Sequence, residues 1–244
     1  MDKSGNPAFS KKALEKFGSI ESSSTATISG TTIKIFILLL LTVGAGYFGW
    51  QGMANATTAS VLLIAGSGIL GFVTALITIF KPTIAYITAP IYALAQGYML
   101  GAISQMYNTQ FNGIVIQAIG LTGALFFVSL WVFAVGLIKV TAKFRTGVLI
   151  ATLGVGLYYL VAIVLGLFGV KAPLIFDTGT FGIVFSLIII FIATLNLILD
   201  FDMIQRLEQQ KAPKVFEWYG AFALMVTLIW LYTEVLRLLS KTRS

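Results

Sequence analysis

The chain has no cysteine and no histidine among its 244 residues, and only 10% of them are charged. The first absence removes disulfides, thiolate nucleophiles and the usual zinc and haem ligands. The second removes the imidazole that most often moves protons near neutral pH. Cation or proton chemistry is left to carboxylates. The shortage of charge is as restrictive, because a soluble domain of this size carries about 25% charged residues. Apolar residues fill the gap, at 58% of the chain and a mean hydropathy of +0.95. The short alternating segments of a membrane β-barrel are absent, so long apolar runs read as helices that satisfy their own backbone inside a bilayer. No cofactor is expected. No phosphate-binding glycine loop occurs and no nucleophile has a base at motif spacing, so an enzyme is not expected either.

Seven apolar runs stand out, at about 33–53, 59–80, 83–106, 114–138, 147–169, 179–199 and 216–236. With short connections between them, they predict an all-α integral membrane protein with a single seven-helix transmembrane domain over 32–240. A polar cytoplasmic tail at 1–31 precedes it and a short tail at 241–244 follows. The first tail lacks a signal-peptide core. Its "PAFSKKALEKF" reads either as a short interfacial helix, with Phe9, Leu14 and Phe17 in the headgroups, or as a disordered arm. With the N terminus inside, twelve basic residues fall on the cytoplasmic side and four outside, the four being Lys171, Arg237, Lys241 and Arg243. That asymmetry predicts a cytoplasmic N terminus and explains the net charge of +7 by membrane orientation, not by a nucleic-acid partner. Three of the four outside charges sit in "RLLSKTRS", so the seventh run either crosses or is re-entrant.

Small residues mark places where helices can approach closely: Gly97 and Gly101 in the third run, and Gly68 and Gly71 in the second. Pro90 should kink the third run by removing one hydrogen bond. Trp50, Trp218, Tyr219, Trp230 and Tyr232 lie near run ends, as interface anchors do.

The acids are few enough to weigh singly. Residues 178–199 hold no charge and, at 1.5 Å per residue, would span about 33 Å, which puts Asp200 near the cytoplasmic edge of the sixth run. Asp202 has Arg206 at i+4 and reads as half of a helical ion pair. Asn196, one turn before Asp200, would form with it a polar notch whose oxygens suit a hard cation such as Ca²⁺. Glu217 returns to the same membrane face after a short loop and either approaches Asp200, so that the two share a proton, or favours its own helix N terminus. Glu234 reads as a partner of Arg237. Lys81, in the turn between the second and third runs, either anchors that turn or serves as a counter-ion.

Four stretches, "GNPAF", "KPTIAYITAPIYALAQGYMLGAIS", "LNLILDFDMIQR" and "EWYGAFALMVTLIWLYTEVLRLLS", together resemble a bacterial branch of the Bax inhibitor family, the transmembrane Bax-inhibitor-motif proteins. The resemblance covers essentially the whole chain. It implies a seven-helix bundle with the C-terminal helix central, a bacterial inner-membrane location and a pH-dependent calcium leak. It also implies that a sixth-helix aspartate, matched by Asp200, pairs with an aspartate of the last helix and an arginine of the second, where Lys81 is the nearest basic residue. Thr227 stands where the last-helix aspartate belongs, and Gln96 where an acid is expected in the third helix.

The primary expectation is thus a cation leak with Asp200 as ion and proton gate and tentative Ca²⁺ ligand, Glu217, Lys81 and Asn196 around it, and Asp202, Glu234, Thr227 and Gln96 as weaker candidates. Its expected partners are the lipid bilayer and Ca²⁺ or H⁺. The competing reading is a membrane-embedded regulator that binds other membrane proteins, such as a membrane-anchored protease, and depends on its N-terminal tail. An intramembrane aspartyl protease would need a GxGD signature, which does not occur.

Overall fold

A computed structural model describes residues 24–55, 57–169 and 177–243. Among them lie seven α-helices and no strand: α1 (Ile28–Ala54), α2 (Thr58–Phe80), α3 (Ala85–Gln110), α4 (Ile114–Ala134), α5 (Ala142–Leu167), α6 (Thr180–Gln209) and α7 (Phe216–Arg243). A 3-10 turn at Pro82–Ile84 leads into α3. The expected interfacial segment with Phe9, Leu14 and Phe17, and Lys171, lie outside the described residues.

Seven helices therefore stand where seven apolar runs were read, and all but α3 are long and apolar enough to cross a membrane. At 26 residues α3 has the length. It falls short in apolarity because its sequence is built from Ala, Gly, Tyr and Gln, the composition of a helix that packs against protein. Its buried residues include Ala85, Ala89, Tyr92, Ala93 and Gln96. In α1, α2, α4 and α5 only 11–22% of the most apolar stretch is buried, against 39% in α6 and 50% in α7.

Helix ends depart from the expected bounds for identifiable reasons. Three threonines start helices: Thr27, Thr57 and Thr141 accept the backbone N–H of Gly30, Ser60 and Phe144 through their hydroxyls. This sets the start of α1 at 28 and of α5 at 142, each earlier than the apolar run. α4 stops at Ala134, short of 138, because Gly136 at φ 69° closes it, with Gly136 N bonded to Phe133 O and Leu137 N to Val132 O. α6 runs to Gln209, past both aspartates, since Gln, Arg, Leu and Glu sustain a helix as well as Leu and Ile do. α7 is one unbroken helix of 28 residues, long and apolar enough to cross a membrane. The expected tail at 241 is instead its last turn.

The chain divides into two compact units, Met1–Ala102 with Asp200–Met225, and Ile103–Leu199 with Val226–Ser244. In the first, α3 is held by backbone contacts that only glycine permits. A Cβ on Gly101 would lie 1.9 Å from Gly46 O, one on Gly49 1.9 Å from Tyr98 O, and one on Gly97 2.4 Å from Thr42 O. On the α2 side, Gly71 faces the Gln96 amide and Gly68 the Met99 sulfur. Both small-residue pairs read from the sequence thus meet partners, and the Thr78 hydroxyl donates to that of Thr88 at 2.7 Å to tie α2 to α3. α3 continues through Pro90.

Gly101→Leu should therefore wreck the α1–α3 crossing, since overpacking typically costs about 1–3 kcal/mol and here meets backbone. Gly154→Leu, on α5 with nothing within 4 Å of its Cβ, is the control. Unfolding midpoints in mild detergent should fall for the first variant and hold for the second.

Candidate functional site

The end of α6, the connection after it and the start of α7 belong to the first unit. Asp200 is half-buried there, with its Oδ2 withdrawn from solvent. Its charge acts on the hydroxyl of buried Tyr219, one turn into α7. Tyr219 packs edge-on to Phe216 and tilted to Phe222, whose ring meets Tyr92 of α3 edge-on at 5.0 Å. Asp202 accepts Arg206 Nε at 2.9 Å across one turn, the ion pair that its spacing predicts. Lys81 is exposed as the C-cap of α2.

Glu217 goes elsewhere than to Asp200. It is 1% exposed and reaches α1, where Lys34 Nζ is bonded to its Oε2 and the backbone N–H and hydroxyl of Thr27 donate to its Oε1 at 3.0 and 3.1 Å. Gly30 is required at this contact, because a Cβ would come within 2.3 Å of Glu217 Oε1. Glu208, from the last turn of α6, accepts the N–H of Ile28 at 3.0 Å. Two acids therefore cap a helix that is not their own, satisfying first-turn donors that otherwise need water.

The approach depends on how α6 ends. Lys211 sits at φ 51°, with Lys211 N bonded to Glu208 O and Ala212 N to Leu207 O, the helix ending that usually takes glycine. It turns the chain so that Ala212 O accepts Ala26 N at 2.7 Å and Thr25 bridges Pro213. A clasp results, joining the residues before α1 to those before α7.

The second unit holds a separate polar cluster. Glu234, 1% exposed, accepts Arg237 NH1 at 2.9 and 3.0 Å and the Tyr159 hydroxyl of α5 at 2.5 Å. Arg237 donates to that same hydroxyl at 2.6 Å and lies 5.3 Å from the ring centroid. Lys241 is buried, donating to Gly182 O at 3.0 Å and Ser186 Oγ at 3.1 Å, while Arg243 donates to Asn112 O and Gln117 Oε1. Asn196 gives its amide to Thr152 Oγ1 on α5 at 2.8 Å and to Ile192 O at 2.9 Å. Thr227 is buried in this unit, and Gln96 in the other, against Gly71. The division between units falls between Leu199 and Asp200, so Asn196 and Asp200 belong to different units. Among the described residues no three acids gather to hold a metal ion.

A sequence profile described as Bax inhibitor 1 like matches residues 6–244. The chain belongs to that family. No match is found among curated proteins.

The sequence pattern assigns no role to Thr27, Gly30 or Tyr159 of this Bax inhibitor relative. Only the threonine carried a signal, as a cap before an apolar run. Lys34 had been counted for orientation alone, Lys241 had been placed in a tail, and Tyr219 and Tyr232 had been read as interface anchors. In the fold Tyr219 is buried and the Tyr232 hydroxyl lies 2.7 Å from Ser104 Oγ.

Breaking a buried ion pair from one side costs about 3–5 kcal/mol, because the orphaned charge stays buried. Lys34→Met and Glu217→Leu should each lower the unfolding midpoint strongly, and the double variant should lose less than their sum in a double-mutant cycle. Lys211→Gly should raise the midpoint, since a left-handed residue other than glycine costs about 1–2 kcal/mol.

Proposed function

We propose that this member of the Bax inhibitor 1 like family is a pH-sensitive cation leak, with Ca²⁺ as cargo, in a bacterial inner membrane and with its N terminus in the cytoplasm. In this reading α7 is the central helix, and gating changes the contact between α6 and α7. The observation that carries it is the half-buried Asp200 carboxylate, with its Oδ2 out of solvent, on the stretch of α6 whose Ile204 and Leu207 pack against Gly220 of α7. Protonating such an acid changes the charge between two helices without moving the backbone. A pKa difference of one unit between open and closed forms is worth about 1.4 kcal/mol, a tenfold shift in a marginal two-state gate.

Three other acids are engaged elsewhere. Asp202 pairs with Arg206, Glu217 with Lys34 and Glu234 with Arg237. Titrating those pairs would disturb structure before it tuned a gate. Half-burial of α7 supports its central place. A carboxylate oxygen is also a suitable transient ligand for a hard cation.

Purified protein in Ca²⁺-loaded vesicles tests the reading. Asp200→Asn should flatten the pH dependence of Ca²⁺ efflux, and Tyr219→Phe should displace it while leaving it pH-dependent. Efflux from Asp200→Asn with the wild-type pH profile would reject Asp200 as the sensor, and efflux no faster than from empty vesicles at any pH would reject the leak itself.

A further inference from the structure

The clasp at the foot of α1 encloses a cleft of about 490 Å³. Its charged lining is two ammonium groups, Lys34 and Lys214, against one carboxylate, Glu217, and Ser24 and Thr25 line it as well. Glu217, 1% exposed, and Lys34 are bonded to each other and largely cancel, so the net positive charge of the cleft comes from Lys214. Lys214 is exposed. The backbone donors of Thr27, Ile28 and Gly30 are already taken by Glu217, Glu208 and the Thr27 hydroxyl, so the cleft does not rely on a helix N terminus. Its character is that of a small, net-positive recess with hydroxyl donors, which suits a singly charged phosphate ester.

The surroundings decide the source of that phosphate. Ile33 lines the cleft and is 59% exposed, and Phe36, Ile37 and Leu40 continue one exposed apolar strip up α1 at helical spacing. α1 is among the helices apolar enough to cross a membrane, so its first turns stand at the headgroup level and the strip faces acyl chains. The Trp218 ring lies 5.5 Å from Lys34 Nζ, an aromatic at the same level. An amphiphile is served at both ends here, whereas a free phosphate would use only the recess.

We propose that this cleft is a binding site for an anionic phospholipid, its phosphate held between Lys214, Lys34 and the Ser24 and Thr25 hydroxyls and its acyl chain laid along the Ile33–Leu40 strip. The site is independent of Asp200 and of any leak. A lipid seated there would brace the clasp between α1 and the start of α7.

Native mass spectrometry of the full chain, after reconstitution in mixed phosphatidylglycerol and phosphatidylcholine and extraction into mild detergent, reads the retained lipid. Wild-type protein should retain phosphatidylglycerol in preference to phosphatidylcholine. Lys214→Gln should cut that preference about fivefold, the effect of roughly one kcal/mol per surface lysine. Lys139→Gln, an exposed lysine in the α4–α5 connection, should leave it unchanged. The preference should survive added inorganic phosphate. Equal loss in both variants, or none in Lys214→Gln, overturns the site, and displacement of the lipid by inorganic phosphate alone makes it a free-anion site and overturns the lipid assignment. The unfolding midpoint of Lys214→Gln, measured alongside, should match wild type in phosphatidylcholine alone. A lower value there assigns Lys214 a structural part and overturns the proposal.

Discussion

A carboxylate shut away from water must find its donors within the protein, and Glu217 finds them on α1. Lys34 and the Thr27 N–H and hydroxyl converge on it, and Gly30 leaves the room for it. Once that contact is made, the start of α7 is set against the start of α1. The residues between α6 and α7 then lie beside 24–26, and Glu208 comes within reach of Ile28 N. The left-handed Lys211 is the local strain that permits the turn, offset by the bonds it brings within range.

The same requirement governs the other unit. Polar groups inside an apolar bundle are tolerated in satisfied sets. Glu234, Arg237 and Tyr159 form such a set, with the tyrosine hydroxyl both accepting from the guanidinium and donating to the carboxylate. Lys241 uses a backbone carbonyl and a serine hydroxyl. In the first unit the packing rests on small residues, because lipid offers no hydrophobic drive between helices. Glycines at 46, 49, 97 and 101 let α1 and α3 meet backbone to backbone.

Among the described residues Asp202, Glu208, Glu217 and Glu234 are spent on structure, which shortens the list of groups for ion or proton work. Asp200 is half-buried near the end of α6, with its Oδ2 out of solvent.

Helix number, the membrane setting and the family were legible from residues 1–244 alone, because apolar runs near 20 residues and short motifs are local properties. So were the pairs one turn apart, Asp202 with Arg206 and Glu234 with Arg237, since helical periodicity puts them on one face. Helix ends were less legible where an apolar run and a helix part company, as at Gln209 and Arg243. Partners far apart in sequence were not legible at all. Lys34 and Glu217 are separated by 183 residues, and Tyr159 and Glu234 by 75. Nothing local distinguishes an acid that caps its own helix from one that reaches another, and only the packing of α7 against its neighbours decided that Glu217 belongs to α1.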